Sequence, residues 1–138
     1  MIQNPRLSQA SPYRYVIALL FVFLNFGLGL SFFAIAPVLP LIQDDYSINR
    51  GTASLLIVVV IFAQTIFCIP GGAMVVRIGV WRVITLGWLL ASVPVFVLFL
   101  DGFLPMLLLR IIYGVGFALV IPAMAPLIMQ WFNPREIP

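Results

Sequence analysis

Residues 103–132, FLPMLLLRIIYGVGFALVIPAMAPLIMQWF, hold a single charge, Arg110. The run exceeds the roughly 20 helical residues that cross about 30 Å of hydrocarbon at about 1.5 Å per residue. Three further charge-free runs precede it, at residues 15–41, 52–76 and 83–100. Lipid offers no hydrogen bonds to backbone groups, so each run is predicted to be helical, whereas a membrane strand would need only about ten alternating residues. The expected fold is an all-α membrane protein. Four transmembrane helices, at about 15–41, 52–76, 83–100 and 103–132, lie between an amino-terminal segment, 1–14, and a short loop start, 133–138.

Composition agrees. With 64% hydrophobic residues, 8% charged residues and a mean hydropathy of +1.21, the chain departs from soluble domains, which are about half apolar and a quarter charged. All seven basic residues are arginines, and the net charge of +3 comes from scattered points. No basic tract exists to grip a nucleic acid, and none is expected as a partner. Histidine is absent and Cys68 is the one cysteine, so neither an internal disulfide nor a Cys/His metal site can be assembled. No metal and no cofactor is predicted. Arg6 and Arg14 ahead of an apolar segment superficially suit a secretory signal, but the charge-free stretch from Tyr15 to Gln43 is too long for a signal's apolar region of about 7 to 15 residues.

The connections are short. Gln43–Gly51 is polar, Arg77–Arg82 is basic, and Asp101-Gly102 reads as a turn, with Pro105 suited to the first turn of the next helix. One set of ends holds Arg6, Arg14, Arg77, Arg82 and Arg135; the other holds Arg50 with Asp44, Asp45 and Asp101. Basic residues are retained on the cytoplasmic side, so both termini are predicted to be cytoplasmic in a multi-pass protein of the plasma (cell inner) membrane. Tyr13, Tyr15, Tyr46, Trp81 and Trp131 fall near run ends, where amphipathic rings favour the headgroup zone. Pro37, Pro40, Pro70, Pro94, Pro122 and Pro126 lie in or near the helices and tend to bend them.

Arg110 is the sharpest chemical signal. An arginine within a span costs about 2.5 to 3.5 kcal/mol on the gentlest insertion scale, so it usually faces protein or water and needs an acceptor. No acidic residue lies within the four runs, which leaves a solute, a backbone carbonyl or another part of the protein. The alternative is that residues 111–130 span alone while Arg110 snorkels at the interface. Asn25, Gln64 and Thr65 are the other polar residues at membrane depth, able to bond a solute or a neighbouring helix. Tyr113, one turn from Arg110, offers a hydroxyl or an aromatic wall, or simply packs. Gly114 and Ala118 form a small-x-x-x-small pair, with Gly116 between them, that admits a second helix backbone; Gly27, Gly29, Gly71 and Gly72 are candidates for close packing or bending.

Two motifs in this order resemble the major facilitator superfamily, and the likeness runs from Tyr15 to Glu136. The stretch from Gly72 to Arg82 resembles that family's G-x-L-x-D-R-x-G-R-R loop between helices two and three. Gly72, Arg77 and Gly79 match in register. Val76 stands where the family has aspartate, Val80 and Trp81 stand where it has two basic residues, and Arg82 arrives one position late. The second motif, Arg110-Ile111-Ile112-Tyr113-Gly114-Val115-Gly116, is similar to the fourth-helix R-x-x-x-G-x-G, whose arginine the family associates with proton coupling or substrate binding. Residues 36–42 and 131–136 resemble segments of the family's anion and organic-solute branches.

The resemblance implies the first four of twelve helices in a secondary transporter that moves a small solute by alternating access. An anion is the natural match to Arg110, and a proton is a candidate coupling ion. Its partners would be the lipid bilayer, the solute and the remaining transporter helices. Members have two six-helix halves with the site between them, so four helices read as a partial, truncated chain, inactive alone. Two alternatives differ in class. One is a non-transporting membrane fragment or structural partner. The other is a dimeric four-helix exporter like the small multidrug resistance proteins, which depend on a membrane-embedded glutamate; here the one glutamate, Glu136, lies outside the spans. No nucleophile–base pair or phosphate loop marks an enzyme.

Overall fold

A computed structural model describes residues 13–131, and every element among them is a helix. Arg6, Arg135, Glu136 and the 133–138 stretch lie outside the described residues. Four stretches are long and apolar enough to cross a membrane: Tyr15–Tyr46, Arg50–Ile78, Val80–Phe99 and Phe103–Met129. The chain is an all-α, multi-pass membrane protein.

The first span consists of two helices, α1 (Tyr13–Phe33) and α2 (Ile35–Tyr46). Pro37 has no N–H to give the carbonyl of Phe33, and its ring crowds that carbonyl, which puts the interruption at Ala34. Ala34 keeps helical dihedrals (φ −58°, ψ −22°), so the interruption is a kink rather than a loop. The helix then runs past Leu41 and through Gln43, Asp44 and Asp45 to Tyr46, residues expected from the sequence to begin the connection. Polar side chains at a span's end reach water and leave the backbone free to stay helical. What stops α2 is Ser47, in the left-handed conformation (φ 51°, ψ 38°). Its N–H donates to Asp44 O (3.4 Å) and that of Ile48 to Gln43 O (3.1 Å), closing the helix end.

The connection is thus only residues 47–49. The Asn49 side chain accepts from the Thr52 N–H at 2.7 Å, and this cap starts α3 (Arg50–Ile78) two residues before the expected boundary. Gly79, at φ 91°, makes the turn into α4 (Val80–Ser92), a backbone conformation that side chains disfavour. The third span was expected at 83–100 as one α-helix. Instead, α4 gives way to a 3₁₀ segment, Val93–Phe99. Pro94 cannot donate to Leu90 O, and Val93 N–H reaches that carbonyl in the tighter i→i−3 pattern. After Gly102 (φ 116°), α5 (Phe103–Trp131) carries Pro105 in its first turn and Pro122 and Pro126 within it.

α5 is the central element, packed along α3 on one side and α4 on the other. Three buried clusters are stacked along the spans. Val75, Val80, Val83, Ile84, Leu119 and Leu127 lie at the end carrying Arg77 and Arg82. Leu28, Val60, Tyr113 and Val120 lie mid-depth. Ile35, Ile42 and Leu56 lie toward the end carrying Asp44, Asp45, Arg50 and Asp101. The spans thus have a basic end, a middle and an acidic end.

Candidate functional site

Arg110 projects from the second turn of α5 and lines a cavity of about 430 Å³. The walls come from three spans: Ala34, Ile35, Val38 and Ile42 of the first, Pro94 and Val97 of the third, and Met106 and Leu109 beside Arg110 on the fourth. Both backbone irregularities described above, the kink at Ala34 and the 3₁₀ segment, therefore border the same space. Proline at Pro37 and Pro94 causes both, and non-uniform helix backbone at membrane depth is sustained where it lines a cavity. The guanidinium of Arg110 donates to the Ser31 carbonyl over 3.4 Å and lies 5.9 Å from the centre of the Tyr113 ring. A long bond to one neutral oxygen and a ring face leave most of its donors free for another group.

Asp45 and Tyr46 also line this cavity. Sequence reasoning assigned them to a connection and missed them. The signal was present: after Pro40 the stretch Leu41–Tyr46 contains neither glycine nor proline to end the helix.

Tyr113 is almost fully buried, and its hydroxyl donates to the Leu28 carbonyl at 2.6 Å. Its hydroxyl thus joins the fourth span to the first, while its ring supports Phe117 and the Arg110 guanidinium. Asn25 is placed elsewhere: its amide donates to Phe21 O, one turn back on its own helix, at 2.8 Å. Thr65 likewise bonds its own helix, at Ile61 O. Gln64 is half-buried on α3 and is not among the residues lining the Arg110 cavity. The structure brings Arg110 and Tyr113 together, whereas neither Asn25 nor Gln64 lines the Arg110 cavity.

The small residues are divided between two neighbours. A Cβ on Gly114 would stand 2.8 Å from Val60 O on α3, and Ala118 is fully buried with its carbonyl against Gly71. Gly116 faces the other way, where a Cβ would meet Gly87 O and Ala91 N at 2.6 Å. Gly87 was not singled out from the sequence, although Gly87 and Ala91 repeat the small-x-x-x-small spacing of Gly114 and Ala118. Of the loop residues, Gly79 forms the α3–α4 turn, Gly72 has only Pro122 nearby, and Arg77 and Arg82 are exposed at the basic end.

The model of the Major Facilitator Superfamily matches residues 21–138. The chain belongs to the major facilitator superfamily. It is similar to an uncharacterized protein, Cj0987c, of Campylobacter jejuni, with 26% identity over 109 residues that make up 79% of this chain and 34% of that protein. It is also similar to an uncharacterized transporter, YybO, of Bacillus subtilis, with 28% identity over 104 residues, 75% of this chain and 24% of that one. The chain thus spans about a third and about a quarter of the length of these curated relatives. No solved structure matches it. Membership in this family of transporters agrees with the four spans and with a lipid bilayer as the medium. Within the family loop, Val76 stands in place of an aspartate and is 87% exposed, so at that position this superfamily member presents hydrocarbon rather than charge.

Proposed function

We propose that this chain contributes to a secondary transporter that moves a small solute by alternating access, with Arg110 holding an anionic group of that solute. The observation that carries the reading is an under-used guanidinium in a cavity walled by three spans. Its cost in lipid, about 2.5 to 3.5 kcal/mol, is incompletely offset by one 3.4 Å bond to a carbonyl. A carboxylate or phosphate would complete it in a charge-assisted bond, or a fork of two.

The family likeness supports alternating access, in which one half rocks against another around a site near mid-membrane. Four helices by themselves offer no second half, so the activity is assigned to the whole transporter and the chain alone is read as inactive. A proton is the proposed coupling ion. Arginine distribution supports placing the basic end, with both termini, in the cytoplasm of the plasma membrane, and the acidic end outside. Gly72, Arg77, Gly79 and Arg82 are proposed to hold the loop between the second and third spans at that cytoplasmic face.

The test is solute flux into proteoliposomes carrying the full-length transporter. A hydrogen bond to a charged group is worth about 1.5 to 3 kcal/mol, so Arg110→Ala is expected to lower uptake about tenfold or more, with Arg110→Lys intermediate. Uptake that is indifferent to both substitutions would remove Arg110 from the mechanism.

A further inference from the structure

We infer that the solute of the Arg110 cavity is an elongated zwitterion, its anionic group at Arg110, its middle apolar, and its cationic group at Asp45. This rests on the proposed role of Arg110 and adds a second recognition point. The cavity follows the first span from Ala34, one turn past the Ser31 carbonyl that Arg110 bonds, to Asp45 and Tyr46. Asp45 lies eleven positions after Ala34, which is roughly 16 Å along the helix axis. Ile35, Val38 and Ile42, three and four residues apart, present one apolar face of α2 to the space between, opposite Met106 and Leu109. Two opposite charges therefore stand at the ends of a hydrocarbon-lined slot.

They do not neutralise each other. The guanidinium's hydrogen bond goes to the Ser31 carbonyl, a further turn from Asp45 along the first span, and no ion pair joins the two. Each charge is left to a ligand. The rim adds an independent argument: Asp44, Asp45 and Asp101 outweigh Arg50 at the acidic end, so a bare anion arriving there is repelled. A solute carrying its own cation is drawn in and delivers its anion to Arg110. The volume of about 430 Å³ lies within the range of small-molecule sites, about 300 to 1,000 Å³.

The test is calorimetric titration of the purified full-length transporter with 12-aminododecanoate, whose two charges stand about as far apart as those of the cavity, and with dodecanoate and 6-aminohexanoate. 12-Aminododecanoate is expected to bind about tenfold more tightly than dodecanoate, the worth of one added charge-assisted contact. The short 6-aminohexanoate should gain nothing from Asp45. Asp45→Asn should erase the preference, with dodecanoate bound no more weakly than by the parent because one repelling rim charge is gone, and Asp45→Glu should keep it, which separates lost recognition from lost fold. Equal affinity for 12-aminododecanoate and dodecanoate, or a preference that survives Asp45→Asn, overturns the zwitterion and leaves the Arg110 anion site standing. Binding of all three probes that is indifferent to Arg110→Gln, or no binding at all, overturns both.

Discussion

Spans two to four and span one are held in different ways. In the most apolar stretch of the fourth span 39% of residues are buried in protein, against 6% in the first. Lipid is as apolar as leucine, so greasy side chains alone give helices no reason to leave it for one another. Close backbone approach does. Gly71, Gly87, Gly114 and Gly116 each sit where a Cβ would come within 3 Å of a neighbouring helix, and all four join α3, α4 and α5. Gly27 and Gly29 of α1 meet nothing within 4 Å. The first span instead rests on the apolar contacts of Leu28, Ile35 and Ile42 and on two polar tethers from α5, Arg110 to Ser31 O and Tyr113 to Leu28 O, together with the Phe32–Phe117 contact. Donors three residues apart on α5 meet carbonyls three residues apart on α1. One tether is the proposed anion-binding residue, so a solute that draws the guanidinium off Ser31 as it binds would loosen the first span from a fixed trio.

The largest expected effect tests the trio. In Gly116→Ala the new Cβ would stand 2.6 Å from two backbone atoms of α4, Gly87 O and Ala91 N, and backbone cannot rotate away as a side chain can. Overpacking of this kind costs about 1 to 3 kcal/mol and occasionally more, and the upper end is expected here. Thermal melting of the detergent-solubilised protein checks it, with loss of the monodisperse species on size exclusion as the extreme outcome. An unshifted melt would break the account of the trio as glycine-joined.

Next comes the buried tether. Tyr113→Phe keeps the ring against Phe117 and removes only the hydroxyl bonded at 2.6 Å to Leu28 O. Measured bonds between membrane helices average about 0.6 kcal/mol and reach about 1.7, so a loss of about 1 kcal/mol is expected. Hydrogen exchange locates it: amides of residues 24–34 should exchange faster while those of α3 and α5 hold. Uniform acceleration would show that the first span is no separate unit.

Much of this division was hidden from the sequence, for physical reasons. The four spans were legible because the absence of charge over a bilayer's thickness permits little besides helix, and Arg110 stood out because it breaks that rule. Helix ends were less so. Asp44 and Asp45 resemble loop residues in composition, but at a span's end they are solvated while the backbone stays helical, and only the conformation of Ser47 decides the stop. Pro94 was read as a bend, but whether a proline kinks an α-helix or converts the next turns to 3₁₀ depends on how the turn before it closes. Glycines are ambiguous for a similar reason: Gly27 and Gly116 look alike in sequence, and only the neighbouring backbone tells a packing site from open space. Asn25 was a candidate for the site because polarity at depth is visible, whereas its bond to Phe21 O, one turn back, is not.

The smallest expected effect is the most discriminating. Gly27→Ala places a methyl where nothing lies within 4 Å, so no contact opposes it, and the helical preference of alanine over glycine, up to about 1 kcal/mol in water, favours it. Melting of this chain should stay within about 0.5 kcal/mol of the parent or rise slightly, as for exposed positions generally. The same substitution in the proposed whole transporter asks a different question. A cost there comparable to that of Gly116→Ala would mean that a helix beyond these four packs on Gly27 as closely as α4 packs on Gly116. The first span would then be fixed to that helix and free against α5, and the weak attachment seen among the four spans would be the seam along which the transporter moves.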